Sequence, residues 1–123
     1  MRVLVVDDDA DTNLMIVELF KLNGFDTSSA CDGDDALTKM RSEDFDVVVT
    51  DLMMPGKSGL DLLKEIKNDP LLWHVPVILL TAYAYLKHMD EAARAGVAAI
   101  FSKPLDGKLL IEAVKNLPPI MRE

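Results

Sequence analysis

Val3-Leu4-Val5-Val6-Asp7-Asp8-Asp9 opens the chain with four consecutive apolar residues that run straight into three carboxylates. An apolar run that is continuous rather than alternating is expected of a strand covered on both faces, as in a parallel sheet with crossover helices. The theme recurs. Short runs at Arg2 to Val6, Asp26 to Ala30, Phe45 to Thr50, Pro76 to Thr81 and Ala98 to Ser102 alternate with amphipathic segments. Val47-Val48-Val49 and Val77-Ile78-Leu79-Leu80 resemble the first run and predict central strands, whereas the polar run from Asp26 to Ala30 predicts an edge strand.

The intervening segments carry helical spacing: Met15, Leu19 and Leu22; Ala36, Leu37 and Met40; Leu60, Leu63 and Ile66; Met89, Ala92 and Ala93; Leu109, Leu110, Ala113 and Val114. Each predicts one buried stripe. Gly24 suits the C-terminal cap of the first helix, Ser58 the N-cap of the third, and Pro118-Pro119 ends the last. Right-handed βα crossovers then give an α/β domain: a doubly wound, five-stranded parallel sheet in the flavodoxin-like order 2-1-3-4-5, with helices on both faces. Residues 1–117 are expected to form this domain, and 118–123 a short C-terminal tail or the start of a linker.

Composition narrows the function. Of 123 residues, 50% are hydrophobic and 28% charged, enough apolar surface for a core and unlike a disordered chain. The apolar runs are too short to span a bilayer and no secretory leader is visible, so no membrane insertion and a cytoplasmic location are expected. Cys31 is the single cysteine, which excludes an intrachain disulfide, and His74 and His88 lie too far apart in sequence to form a local zinc motif. A net charge of −8 argues against direct nucleic-acid binding and points to proteins or cations as partners.

In a doubly wound sheet the ligand crevice lies beyond the carboxyl ends of the strands, so the residues that follow each run are the informative ones. They are Asp7-Asp8-Asp9, Thr50-Asp51, Thr81 and Ser102-Lys103-Pro104, and they converge on one rim. Carboxylates about 5 Å apart at an effective dielectric near 20 repel by roughly 3 kcal/mol per pair. A hard divalent cation offsets that, and Mg²⁺ suits a site with few carboxylates and a shared phosphate oxygen. Lys103 offers a point charge to the phosphate and Thr81 a hydroxyl donor. Asp51, at the end of a central strand and before the turn Met53-Met54-Pro55-Gly56, is the best placed carboxylate to attack phosphorus and form an acyl phosphate.

With these residues in view the chain resembles the receiver domain of bacterial two-component response regulators, in the size and layout of single-domain chemotaxis and sporulation relay regulators. The resemblance covers residues 1–117. It rests on Val5-Val6-Asp7-Asp8, on Val49-Thr50-Asp51-Leu52-Met53-Met54-Pro55-Gly56 with Gly59 beyond, on Leu80-Thr81-Ala82 and on Lys103-Pro104. It implies that Asp51 is the phosphoacceptor and that Asp7, Asp8, Asp51 and the backbone carbonyl of Met53 hold Mg²⁺. It further implies that Lys103 contacts the phosphoryl group, that Pro104 follows a cis peptide bond, and that Thr81 is the switch hydroxyl. The implied donor is a phosphohistidine on a sensor histidine kinase or histidine phosphotransferase, and the implied output is a downstream protein target or a fused output domain. The chain departs from the family at the aromatic switch position three residues before the lysine, where Ile100 stands. Phe101 beside it should point to the other face. Output is therefore expected through Tyr83, Tyr85, Leu86 and Met89 instead.

The same residues also approach other patterns. Asp7, Asp9, Asp11 and Glu18 approach the spacing of a calcium loop, but Thr12 stands where that loop needs glycine, and a strand precedes it. A small Mg²⁺-dependent phosphatase of the haloacid-dehalogenase type also places an aspartate nucleophile after a strand. The run Asp7-Asp8-Asp9-Ala10-Asp11 lacks that family's usual residue two positions after its second aspartate, and no cap domain is visible. A non-phosphorylated pseudo-receiver that only binds partners is disfavoured by the retention of Asp7, Asp8, Asp51, Thr81 and Lys103. The chain is thus expected to be no turnover enzyme on external substrate. Trp73 reads as a packing residue at the amino end of the sheet, Cys31 as a packed or partly exposed thiol, and His88 as a residue on an exposed helix face.

In the family, the residues two places after the acceptor and after the threonine influence acyl phosphate lifetime, and here these are Met53 and Tyr83. Neither side chain is suited to orient an attacking water, so once formed the aspartyl phosphate should decay on the order of hours rather than seconds at neutral pH. Decay of the phosphoprotein within seconds, followed by intact mass, would contradict this.

Overall fold

Valine-rich segments that cannot reach water on either side must be covered twice, and the computed structural model, which describes residues 1–82 and 86–118, shows how. In chain order the elements are β1 (Arg2–Val6), α1 (Ala10–Leu22), β2 (Asp26–Ala30), α2 (Gly33–Ser42), β3 (Val47–Asp51), α3 (Gly59–Asn68), β4 (Val77–Thr81), α4 (Leu86–Arg94), β5 (Ala99–Ser102) and α5 (Gly107–Lys115). The strands form one parallel sheet in the order β2-β1-β3-β4-β5, with the polar β2 at an edge. Alternate side chains of the central strands enter opposite clusters. Leu4, Val6, Val48 and Leu79 pack with Ala36, Leu37 and Met40 of α2, Leu63 and Ile66 of α3, and Ala92 of α4. Val3, Val5, Val49, Ile78 and Leu80 pack with Ile16, Val17 and Phe20 of α1 and with Leu110, Ile111 and Val114 of α5. No helix is long and apolar enough to cross a membrane among the described residues.

Local chemistry sets the element ends. Ser58 Oγ accepts from the Asp61 amide and Asp61 Oδ2 from the Ser58 amide, each at 3.1 Å, which closes a reciprocal cap on α3. Gly24, just beyond α1, takes φ +85°, a conformation that other L-residues adopt with strain.

Three expectations need correction. The buried stripe of α1 is Asn13, Ile16, Val17 and Phe20, whereas Met15 and Leu22 are 61% and 83% exposed. Both sets have helical spacing. The rotation is settled by the Phe20 ring, which meets Phe25 edge-on at 5.4 Å, and by the buried Asn13 amide, which donates to the carbonyls of Asp7 at 3.1 Å and Ala30 at 2.9 Å. In α4 and α5 the stripe is narrower or rotated in the same way: Met89 and Ala93 are exposed beside buried Ala92, and Leu109 is exposed while Ile111 is buried. Trp73 is 55% exposed, because Leu72 and Val75 fill the space beneath the α3–β4 connection; its ring lies edge-on to His74 at 5.8 Å.

Gly59 is a required glycine for lack of space. A Cβ there would lie 2.2 Å from the carbonyl oxygen of Asp51, a backbone atom that cannot yield without moving the strand end. Gly59→Ala should therefore destabilise the fold by about 2–3 kcal/mol, read as a lower urea midpoint at unchanged slope. A midpoint equal to the parent's would show that the strand end yields freely.

Candidate functional site

Four strand ends build the site. Asp7 follows β1, and its amide donates to the Ala30 carbonyl at 3.2 Å, which carries the chain past the sheet before it turns into α1. Asp51 is the last residue of β3, Thr81 the last of β4, and Lys103 follows β5. The register pairs Val6 with Thr50, Asp51 with Leu80 and Thr81 with Ser102, so the functional side chains occupy neighbouring positions across the carboxyl edge.

One carboxylate oxygen each from Asp7, Asp8 and Asp51 lie within 4.8 Å of one another, the one such acidic group among the described residues. Asp7 and Asp51 are buried and Asp8 is exposed. Lys103 Nζ stands 3.3 Å from Asp51 Oδ1 and 3.7 Å from Asp7 Oδ2, so one cation faces two of the three anions. Asp7 Oδ1 accepts from the Asp9 amide at 2.9 Å, but Oδ2 is buried without a hydrogen-bond donor, the lysine being too distant for one. Burial above all pushes the Asp7 carboxyl up from its ordinary value, and the Asp51 and Asp8 charges add to the rise, while the Asp9 amide and Lys103 oppose it. A buried, orphaned carboxylate oxygen in an all-oxygen cluster fits a hard divalent cation.

Asp9 takes no part in this group. It precedes α1, where its Oδ2 accepts from Thr12 Oγ1 at 2.5 Å, and that bond holds its carboxyl below the ordinary value. The calcium-loop spacing of Asp7, Asp9 and Asp11 therefore gathers no common site among the described residues.

Thr81 is 2% exposed, and its carbonyl accepts from the Lys103 amide at 2.7 Å, which ties the ends of β4 and β5 together. The Lys103–Pro104 peptide bond is cis. Ile100 packs on the sheet face that carries α2, α3 and α4, and Phe101 on the face of α1 and α5, as strand alternation requires. Met53 is exposed beside the site. Tyr83 and Tyr85 lie outside the described residues, as do the side chains of Leu86 and His88. Cys31 is exposed, with its thiol pushed up chiefly by desolvation and then by Asp32 and Asp35, which leaves it a poor nucleophile.

Asn13 escaped the sequence reading. It supports the site from below by bonding the carbonyl of Asp7 itself. The available signal was a polar residue at helical spacing from Ile16, Val17 and Phe20.

The profile of the response regulator receiver domain matches residues 3–115. The chain is 41% identical to chemotaxis protein CheY-3 of Vibrio cholerae over 95% of its own length and 91% of that protein's. It is 39% identical to chemotaxis protein CheY of Pseudomonas aeruginosa, with 95% of each chain covered. The solved structure of Vibrio cholerae CheY4 superposes with a TM-score of 0.89 at 25% identity, over 95% of this chain and 98% of that one. With the parallel order 2-1-3-4-5 and the acidic rim in place, the chain belongs to the response regulator receiver family, the phosphoacceptors of two-component phosphorelays.

Proposed function

We propose that Asp51 accepts the phosphoryl group, that Asp7, Asp8, Asp51 and the backbone carbonyl of Met53 hold Mg²⁺, and that Lys103 and Thr81 receive the phosphoryl oxygens. The observation that carries this reading is the buried Asp7 oxygen without a donor beside Asp51, with Lys103 between them. Bound Mg²⁺ would neutralise the crowded carboxylates and screen the approach of an anionic phosphoryl group.

The side chains do the rest by position. Lys103 holds Asp51 Oδ1 and leaves the other oxygen as nucleophile, a P–O bond forms as the P–N bond of a phosphohistidine breaks, and the imidazole departs. The donor on this reading is a sensor histidine kinase or a histidine phosphotransferase, and the reaction belongs to the cytoplasm. The new group brings roughly −1.5 to −2 charges and strong acceptor oxygens, so Lys103 turns from Asp7 toward it and the Thr81 hydroxyl donates to it. Thr81 shares the carboxyl edge with β5, so its displacement is passed to Ile100 and the β4–α4 segment, and thence to a downstream target or fused output domain. The protein on this reading turns over no external substrate.

Incubation with acetyl phosphate and Mg²⁺ should add one phosphoryl group by intact mass, absent in Asp51→Asn and in EDTA. Label that survives Asp51→Asn would overturn the assignment.

Stability supplies a second test. Because the fold raises the Asp7 pKa, the folded state holds that proton more tightly than the unfolded chain does. The ionised carboxylate thus costs stability above its folded pKa, and the cost disappears as pH falls below the unfolded value. Mg²⁺ needs the ionised form, so at neutral pH and ten times its Kd it should stabilise by about 1.4 kcal/mol, seen as a higher Tm. That gain should shrink as pH falls through the raised Asp7 value. Identical melting with and without Mg²⁺ at neutral pH would remove the cation from the site.

A further inference from the structure

Lys57 lies in the β3–α3 loop, six residues after Asp51, and its side chain leaves the loop for a neighbouring helix. Its Nζ is 3.1 Å from Asp34 Oδ1 in the first turn of α2 and 2.5 Å from Glu65 Oε2 in α3. The aliphatic stem runs across Gly33, where an added Cβ would lie 2.7 Å from Lys57 Cδ and 2.9 Å from Cγ. The side chain is only 20% exposed, well below the 49% and 84% of its two partners. The lysine is thus laid in a slot that the missing side chain of Gly33 leaves open, with its charge answered from both sides of the α2–α3 groove. The Glu65 bond above all, and Asp34 with it, raises the ammonium pKa, so the charge persists well above neutral pH.

The loop so anchored is the one whose geometry matters most to the acidic rim. It begins at Leu52, whose amide donates to Leu80 at 2.7 Å, contains Met53 and the buried Met54, turns at Gly56 with φ +71°, and ends where Gly59 presses on the Asp51 carbonyl. Leu52 and Gly59 fix its two ends. Between them, Met54 buries one side chain in the core and Lys57 supplies the polar tether.

Taking the proposed metal site as given, we infer that Lys57 is a positioning residue: by clamping the β3–α3 loop to α2 and α3 it holds the Met53 carbonyl in place for the divalent cation beside Asp51. It touches neither the ion nor the phosphoryl group. The clamp acts through loop geometry, so its loss lowers affinity for the ion and leaves the reacting side chains intact. Groups behind a metal ligand commonly tune affinity by about tenfold or more, and a partly exposed tether acting on a single carbonyl should lie near roughly three- to tenfold.

The test is a Mg²⁺ titration of the full chain by calorimetry, together with the Mg²⁺ dependence of phosphorylation by acetyl phosphate. Lys57→Ala should raise both the Kd and the half-saturating Mg²⁺ concentration by about three- to tenfold, with the maximal rate at saturating Mg²⁺ retained within about twofold. Gly33→Ala, which crowds the stem out of its slot without removing a charge, should raise the Kd in the same direction, and Lys57→Arg should recover most of the loss. A Kd unchanged in Lys57→Ala while the parent binds Mg²⁺ and Asp8→Asn does not would sink this inference and leave the site reading standing. A parent chain that binds no Mg²⁺ would sink both. A fall in maximal rate at unchanged half-saturation would assign Lys57 to folding alone and overturn the positioning role.

Discussion

The structure depends on forcing like charges together where they cannot relax. Asp7, Asp8 and Asp51 bring carboxylate oxygens within 4.8 Å of one another, and among the described residues one ammonium, Lys103, stands against two of them. In water such side chains would turn apart at no cost. Here two of them are buried and the strand ends beneath them cannot splay, because Val6, Thr50 and Leu80 are locked in register and packed on both faces. The apolar core is what makes the electrostatic strain possible: rigidity comes from the sheet, and the rim stores a repulsion that a bound divalent cation would relieve.

Two-sided burial also divides the labour of the sheet. Residues that alternate along one strand report to different helical layers, so Ile100 joins Ala95 and Val97 on the side of α4 while Phe101, next to it, joins Leu105 and Leu117 on the side of α5. An aromatic side chain one position away cannot substitute for one at 100. On the proposed switching, movement at Thr81 would meet a branched aliphatic side chain on the α4 side, which carries no polar tip and would pass a displacement on through packing volume alone.

Much of this was legible in the sequence because strands and their ends leave strong local marks. Continuous valine-rich runs identify central strands, and a strand end in an α/β sheet is where polar residues gather, so Asp7, Asp8, Asp51, Thr81 and Lys103 could be named before any coordinates. Helix rotation was less legible. Met15, Leu19 and Leu22 satisfy the same periodicity as Ile16, Val17 and Phe20, and what separates them is the tertiary bonding of Asn13 to the carbonyls of Asp7, just beyond β1, and Ala30, at the end of β2. Trp73 illustrates a related limit: an aromatic ring beside a strand reads as a packing residue, but Leu72 and Val75 are the buried side chains of that connection and the ring is left 55% exposed. Lys57 could not have been distinguished from any surface lysine, since its slot is defined by the absence of a side chain at Gly33 in a different element.

The two lysines near the rim are held in contrasting ways. Lys57 is short of freedom: its stem is seated in a slot and its charge is met at 3.1 and 2.5 Å by carboxylates outside the acidic group at the rim. Lys103 is held more loosely, at 3.3 and 3.7 Å, and by two carboxylates of the acidic rim itself. On the proposed chemistry, a cation on Asp7 and Asp51 would weaken their hold on Lys103 and free it to follow a new anion, whereas the partners of Lys57 are not among the proposed ligands. On that reading a lysine tied to Asp7 and Asp51 would move with the signal, while a lysine tied to Asp34 and Glu65 would keep the surrounding loop still.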